Sequence, residues 1–78
     1  MHEICKPLHT GESWAYNFRA DAPLEFNVHY HEGDEVLFPV PVVNTPRAWG
    51  TMTARLDQTY CQMWRNLGDT SAQLRLGD

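Results

Sequence analysis

The sequence LEFNVHYHEGDEVLFPV at residues 24–40 decides the fold class, because it predicts a strand, a tight turn and a second strand. Apolar and polar residues alternate from Leu24 to His31, so the first strand has one apolar face and one polar face. Gly33 marks the turn. Beyond it an apolar face resumes at every second residue: Val36, Phe38 and Val40. This stretch is the strongest hairpin signal in the chain.

Alternation on both sides of this hairpin predicts an all-β fold. Further strands are expected at residues 14–19, 51–56, 60–66 and 71–76, with an extended lead-in over residues 1–8, a turn at 20–23 and a loop at 42–50. We expect one domain over residues 1–78, a jelly-roll-like antiparallel β-sandwich of two sheets with six to seven short strands. Its predicted core is Trp14, Tyr16, Phe18, Leu24, Phe26, Val28, Val36, Phe38, Val40, Met52, Leu56, Trp64 and Leu74.

Prolines limit how the second strand of the hairpin can pair. Pro39 and Pro41 have no N–H to donate to a neighbouring strand. We therefore expect this strand to lie at a sheet edge or to leave the sheet there. Exposed edges in so small a domain favour pairing with a second copy, which predicts a homodimer.

Length and charge exclude several classes of protein. A domain of 78 residues buries only about 60% of the surface of its unfolded chain, so its core is small. A net charge of −4, with six scattered Lys and Arg, argues against a nucleic-acid surface. No apolar run approaches the roughly 20 residues that span a bilayer, and the N-terminus lacks the features of a signal peptide. The chain as written is expected in the cytoplasm, or in the periplasm if a signal peptide was removed.

Two cysteines, Cys5 and Cys61, leave two alternatives open. They could form a disulfide in an oxidising compartment, closing a long loop and contributing roughly 4 kcal/mol. As thiols, they could join Met63 in a soft-metal site, and if the strand of Cys61 and Met63 neighbours His29 and His31, a copper site of Cys, Met and His ligands is possible.

The hairpin also carries the candidate metal ligands of the chain. His29 and His31 share one face of their strand, and Glu35 follows across the turn. Imidazole and carboxylate ligands suit zinc, copper or nickel. The alternation places both histidines on the polar face, so we expect this pair on an open surface.

The spacing His29-x-His31-x-x-x-Glu35 resembles the first motif of the cupins, small barrels that hold a metal with two His, a Glu and a later His. Pro23 and Val42 stand where cupins have flanking glycines, and no His follows His31. The resemblance implies a metal-dependent enzyme or sensor.

A second resemblance covers more of the chain. It rests on these positions: Trp14-x-Tyr16-x-Phe18, Pro23-Leu24-x-Phe26-Asn27-Val28-x-Tyr30-His31, Phe38-Pro39-Val40, Gly50 and Tyr60-x-x-x-Trp64-x-Asn66. Their order is similar to that in GOLD-type domains, compact β-sandwiches of cargo-adaptor and lipid-transfer proteins. The chain also looks like small bacterial proteins with Phe-Asn-x-His-Tyr-His and Tyr-Cys-x-Met-Trp. This resemblance implies a non-catalytic binding or adaptor module.

We therefore predict a small non-enzymatic module that binds a protein partner or a small ligand and takes a transition metal at His29, His31 and Glu35. The alternative is a cupin-like metal-dependent enzyme or sensor with the same residues. Trp49 and Tyr30 are the candidate binding aromatics, because an exposed aromatic side chain often anchors a partner.

Overall fold

The computed structural model describes residues 1–77, which form an all-β domain. Its five strands are β1 (His2–Leu8), β2 (Ser13–Glu32), β3 (Glu35–Thr53), β4 (Gln58–Arg65) and β5 (Leu74–Leu76). They form one antiparallel sheet in the order β1-β4-β2-β3, and β5 pairs with β2 beside this path. The all-β antiparallel class is confirmed, with five strands in one sheet where six to seven in two sheets were predicted. None of these residues forms a helix that could cross a membrane.

Prolines in β3 coincide with the places where its pairing with β2 loses register. Shifts occur between the partners Leu37 and Val40, between Val40 and Val43, and between Thr45 and Arg47. Those intervals contain, respectively, Pro39, Pro41 and Pro46. Because proline cannot donate a backbone hydrogen bond, the ladder skips Pro39 and Pro41 as bulges of β3, whereas at Pro46 the additional residues, 20–23, belong to β2. The loop predicted at residues 42–50 is therefore wrong, since β3 continues through it, whereas the predicted edge position is confirmed.

The long strand β2 folds back on itself near residues 20–23, which were predicted to form a turn. A register shift with β3 lies between Arg19 and Leu24, around Pro23. A straight strand would separate positions 18 and 26 by about 26 Å. The ring centroids of Phe18 and Phe26 are 4.8 Å apart, so the two halves of the β2–β3 hairpin face each other.

The core lies between these two halves. It consists of Leu8, Phe18, Leu24, Phe26, Val28, Met52, Ala54, Tyr60 and Trp64. The rings of Phe26 and Trp64 are 5.4 Å apart, and Phe18 meets Trp64 edge-on at 5.9 Å. Such tilted and edge-on pairs are favoured by the ring quadrupoles. Six of the predicted core residues are buried here, and Trp14, Tyr16, Val40 and Leu74 are partly buried against them.

The turn between β2 and β3 sets which residues face the core. Glu32 pairs with Glu35, so the connection has two residues, Gly33 and Asp34. Gly33 has a φ of +61°, a conformation that two-residue hairpin turns require and that glycine adopts without strain.

This register explains two of the three incorrect core predictions. Val36 lies opposite His31, on the polar face of β2, and is 43% exposed. Phe38 is 45% exposed and packs near His29 on that same face, with ring centroids 6.1 Å apart. A one-residue difference in register exchanges the two faces of a strand. Leu56 is also exposed, because it lies in the connection after β3 has ended.

Candidate functional site

Three side chains form a row across β1, β4 and β2, on the face of the sheet that points away from the core. Cys5 lies opposite Cys61, and Cys61 lies opposite His29. A disulfide joins the two cysteines, which is one of the two alternatives that the sequence left open. Because sulfurs in a disulfide are not thiolates, the predicted soft-metal site with Met63 is not formed in this state.

The disulfide fastens the edge strand β1 to β4. It joins residues separated by 56 positions in the sequence. Closing a loop of this length lowers the entropy of the unfolded chain and contributes about 4 kcal/mol in the chain-entropy model. For a domain with so small a core, this covalent link is a major source of stability.

His29 is held by polar groups on both sides of its ring. Its Nδ1 lies 2.8 Å from Oδ1 of Asn27, and its Nε2 lies 3.3 Å from Oε2 of Glu3. An amide oxygen can only accept, so Nδ1 carries a proton and donates it to Asn27. This arrangement turns Nε2 toward Glu3 on β1.

The environment of His29 differs from the open surface that the sequence predicted. The side chain is on the predicted face, yet the residue is only 4% exposed, because β1 brings Glu3 against it and Phe38 lies beside it. Burial lowers the pKa of His29 below its ordinary value, with a further lowering by His31, while the carboxylate of Glu3 opposes the shift.

The other two predicted metal ligands are exposed. The ring of His31 meets that of His29 edge-on, with centroids 5.3 Å apart. Glu35 follows the hairpin turn, where its partner in the ladder is Glu32. Within residues 1–77, three other potential ligands lie closer together than His29, His31 and Glu35 do. They are Glu3, Cys5 and Cys61, whose ligand atoms all lie within 4.8 Å of one another.

A cleft opens on the other side of the sheet, between two parts of β3 that the fold brings together. We call it the β3 cleft. Its volume is about 560 Å³, and it is lined by Tyr30, Leu37, Phe38, Pro39, Val40, Thr51, Met52, Thr53, Arg55 and Tyr60. Tyr30, a predicted binding residue, is therefore part of it.

Two tyrosines form one wall of the β3 cleft. The rings of Tyr30 and Tyr60 meet edge-on at 5.2 Å. The hydroxyl of Tyr60 donates to the carbonyl oxygen of Leu56 at 2.9 Å, which fixes the connection that carries Arg55. Arg55 is exposed and forms no ion pair with any residue that the structure describes.

Trp49, the other predicted binding aromatic, lies elsewhere. It is on β3 opposite Asn17 and is 71% exposed, outside the lining of the β3 cleft. An exposed tryptophan remains available as an anchor for a partner, but the fold does not place it beside Tyr30.

Two site residues were missed by the sequence analysis. Glu3 shares a strand face with Cys5, and that spacing was visible in the sequence. Its proximity to His29 depends on the strand order, which brings β1, β4 and β2 side by side. Arg55 had no local signal, because its role depends on how β3 folds over the core.

Comparison of this chain with protein-family models, curated proteins and solved structures finds no match.

Proposed function

We propose that this chain is a non-enzymatic binding module that holds a small amphipathic ligand with an anionic group in the β3 cleft. The observation that carries the proposal is the combination of apolar walls with the cation of Arg55, which forms no ion pair within residues 1–77. The resemblance to GOLD-type domains, which implies a non-catalytic β-sandwich for binding, agrees with this proposal.

The size and lining of the cleft suit a small organic molecule. Ligand pockets typically have volumes of about 300–1,000 Å³ and are mostly apolar with a few polar groups. Leu37, Val40 and Met52 supply an apolar lining, and Thr51 supplies a hydroxyl group, whereas the hydroxyl of Thr53 is hydrogen-bonded to Ser13. A short alkyl or aryl chain would lie on these apolar side chains.

Arg55 supplies the preference for an anion. Its guanidinium can donate two parallel hydrogen bonds to a carboxylate. The whole chain has a formal charge of −4, so Arg55 is a local cation on a chain whose overall charge repels anions. An exposed arginine beside an apolar cleft is therefore a local attraction for the anionic end of a ligand.

The lining also supports binding over catalysis. It contains no His, Cys, Asp, Glu or Lys, the residues that most often act as nucleophile or general base. The hydroxyl of Tyr60 is engaged with Leu56. The proposal also includes an oxidising compartment, such as the periplasm, because structural disulfides persist there.

A transition metal at His29 and His31 is a second candidate function, favoured by the contact between their rings at 5.3 Å. Zinc, copper or nickel could take Nε2 of one ring and a nitrogen of the other, with Glu35 as the predicted third ligand. The cupin-like enzyme would use the same three residues.

Octanoate tests the leading proposal, with octan-1-ol as its neutral analogue. We expect octanoate to shift the NMR signals of the Met52 methyl group and of the Thr51 and Thr53 amides. Arg55→Gln should weaken octanoate binding about tenfold, the effect of losing a charge-assisted hydrogen bond, and leave octan-1-ol binding unchanged. Arg47→Gln, on β3 but outside the cleft lining, is the matched control. Octanoate that shifts none of these signals, or equal losses in both variants, would refute the proposal.

A further inference from the structure

The cluster of Glu3, Cys5, Cys61 and His29, which we call the outer-face cluster, combines the side chains that zinc prefers. We propose that reduction of the Cys5–Cys61 disulfide converts it into a four-ligand zinc site. The ligands are the two thiolates, Nε2 of His29 and the carboxylate of Glu3. The site lies apart from the β3 cleft, since Cys61 and His29 point to the opposite face from their neighbours Tyr60 and Tyr30.

The spacing of the ligand atoms supports this site. A carboxylate oxygen of Glu3 and the sulfurs of Cys5 and Cys61 all lie within 4.8 Å of one another. Nε2 of His29 is 3.3 Å from Oε2 of Glu3. Zinc bonds of about 2.0–2.3 Å in a tetrahedron separate neighbouring ligand atoms by roughly 3.3–3.8 Å. Nε2 of His29 lies outside the group of atoms within 4.8 Å of one another, so its side chain and those of the cysteines must rotate toward a shared ion once the bond between the sulfurs is broken.

Strand pairing holds these ligands in place. Cys5 on β1 and His29 on β2 both lie opposite Cys61 of β4, on one face of the sheet. Glu3 precedes Cys5 by two residues and therefore faces the same way. Ligands carried on paired strands keep their positions better than ligands on loops.

Asn27 provides the support that a metal-binding histidine usually has. Its Oδ1 accepts from Nδ1 of His29 at 2.8 Å, and Asn27 itself is 1% exposed. Histidine ligands commonly donate their second N–H to a carbonyl or carboxylate, which fixes the tautomer and orients the metal-binding nitrogen. In this structure the nitrogen so oriented is Nε2, which faces Glu3.

A small dithiol, or a dithiol protein, is the reductant. One of its thiolates attacks the sulfur of the exposed Cys5, forming a mixed disulfide and releasing the Cys61 thiolate. Its second thiol attacks the mixed disulfide and releases Cys5. Two electrons and two protons pass to the protein, and the reductant becomes a disulfide. Zinc binding then displaces the two cysteine protons.

Cobalt titration of the oxidised and reduced chains tests the proposal. The chain is reduced anaerobically with dithiothreitol, which is removed before Co²⁺ is added. We expect one Co²⁺ per reduced chain, with thiolate-to-cobalt charge-transfer bands and the d–d bands of tetrahedral coordination, displaced by Zn²⁺. The oxidised chain should show none of these bands. Binding that is equal in both redox states, or absent from the reduced chain, would overturn the proposal.

Single substitutions identify the two ligands that are not cysteines. Glu3→Gln and His29→Gln should each weaken zinc binding about tenfold or more. His9→Gln is the matched control, because it removes an exposed imidazole outside both candidate metal sites, and it should leave the affinity unchanged. Unchanged affinity in Glu3→Gln and His29→Gln, or a loss in His31→Gln without a loss in Glu3→Gln, would contradict the four-ligand site.

Loss of the disulfide could unfold the reduced chain before metal is added. The dispersion of amide NMR signals of the reduced wild-type chain, recorded with and without an equimolar amount of Zn²⁺, shows whether the chain is folded in each state. If the reduced chain unfolds, zinc should restore the dispersed spectrum, because binding to the folded state stabilises it. A reduced chain that stays unfolded with zinc would refute the proposal.

Discussion

Phe18 and Phe26 belong to the same strand, and their ring centroids lie 4.8 Å apart across the core. This contact exists because β2 folds back on itself, so each half of the hairpin supplies one ring. Phe26 is fully buried and also packs against Trp64 at 5.4 Å. It is the residue through which the two halves of the hairpin and β4 are joined.

Phe26→Ala should therefore destabilise the domain strongly. Truncating a buried phenylalanine costs about 3–5 kcal/mol, through lost burial and the cavity left behind. Val36→Ala is the control, because Val36 was a predicted core residue that the turn register places on the exposed face, and it should change stability by less than about 0.5 kcal/mol. Urea unfolding followed by tryptophan fluorescence measures both. Equal losses in the two variants would show that the register is wrong.

Gly50→Ala should destabilise the domain by about 1–3 kcal/mol, as an overpacked site does. Gly50 lies opposite Tyr16, and a Cβ at this position would come 2.6 Å from Cζ of that ring. The tyrosine ring lies over the backbone that glycine leaves uncovered. In a Tyr16→Ala background the clash is absent, so Gly50→Ala should cost less stability there than in the wild type. A double-mutant cycle in urea measures this difference. Strictly additive losses would argue against the contact.

Reducing the disulfide should lower the free energy of unfolding by about 2–5 kcal/mol, through the larger entropy of the unfolded chain. Urea midpoints of the oxidised wild type and of Cys5→Ser/Cys61→Ser, compared without added metal, measure this difference. The paired variant is needed because a single substitution leaves a reactive thiol. Identical midpoints would show that β1 needs no covalent link to stay on β4.

The lowered pKa of His29 predicts a pH dependence of stability. The folded state binds the proton of His29 more weakly than the unfolded chain does. The stability that His29 contributes is therefore fully present above the ordinary histidine pKa of about 6.5. It is lost as the pH falls from that value through the lower pKa of His29 in the folded state. The titratable groups that face His29 are Glu3 and His31. Urea midpoints between pH 5 and pH 8, a range of about three units around that pKa, measure the slope.

His29→Gln should flatten the slope, whereas His31→Gln should keep most of it, because burial, the main cause of the lowered pKa of His29, remains. NMR titration of the His29 ring protons gives the folded pKa directly. A value above that of the unfolded chain would reverse the sign of this prediction.

Most of the local structure could be predicted from alternation, but the long-range arrangement could not. The pattern around Phe26 identified the central hairpin, its apolar face and its turn. The pattern could not show that the breakers at residues 42–50 bend β3 without ending it. A proline supplies the same local signal for a bulge as for a loop, and the choice depends on the partner strand.

The site was less predictable than the fold for the same reason. The face of His29 was predicted, but its burial depends on Glu3, which lies on a strand at the other end of the sequence. Likewise, the pairing of Cys5 with Cys61 required the order of the strands. The lining of the β3 cleft joins two distant parts of one strand, and no sequence period contains that information.

The prolines of β3 also govern how copies of this chain could assemble. A strand from another molecule that approaches this edge meets missing donors at Pro39, Pro41 and Pro46. Continuous pairing along this edge is interrupted there, which disfavours open-ended, fibril-like growth through β3. A second copy that pairs with β3 would be confined to its proline-free end, at residues 47–53, and such an interface would be short.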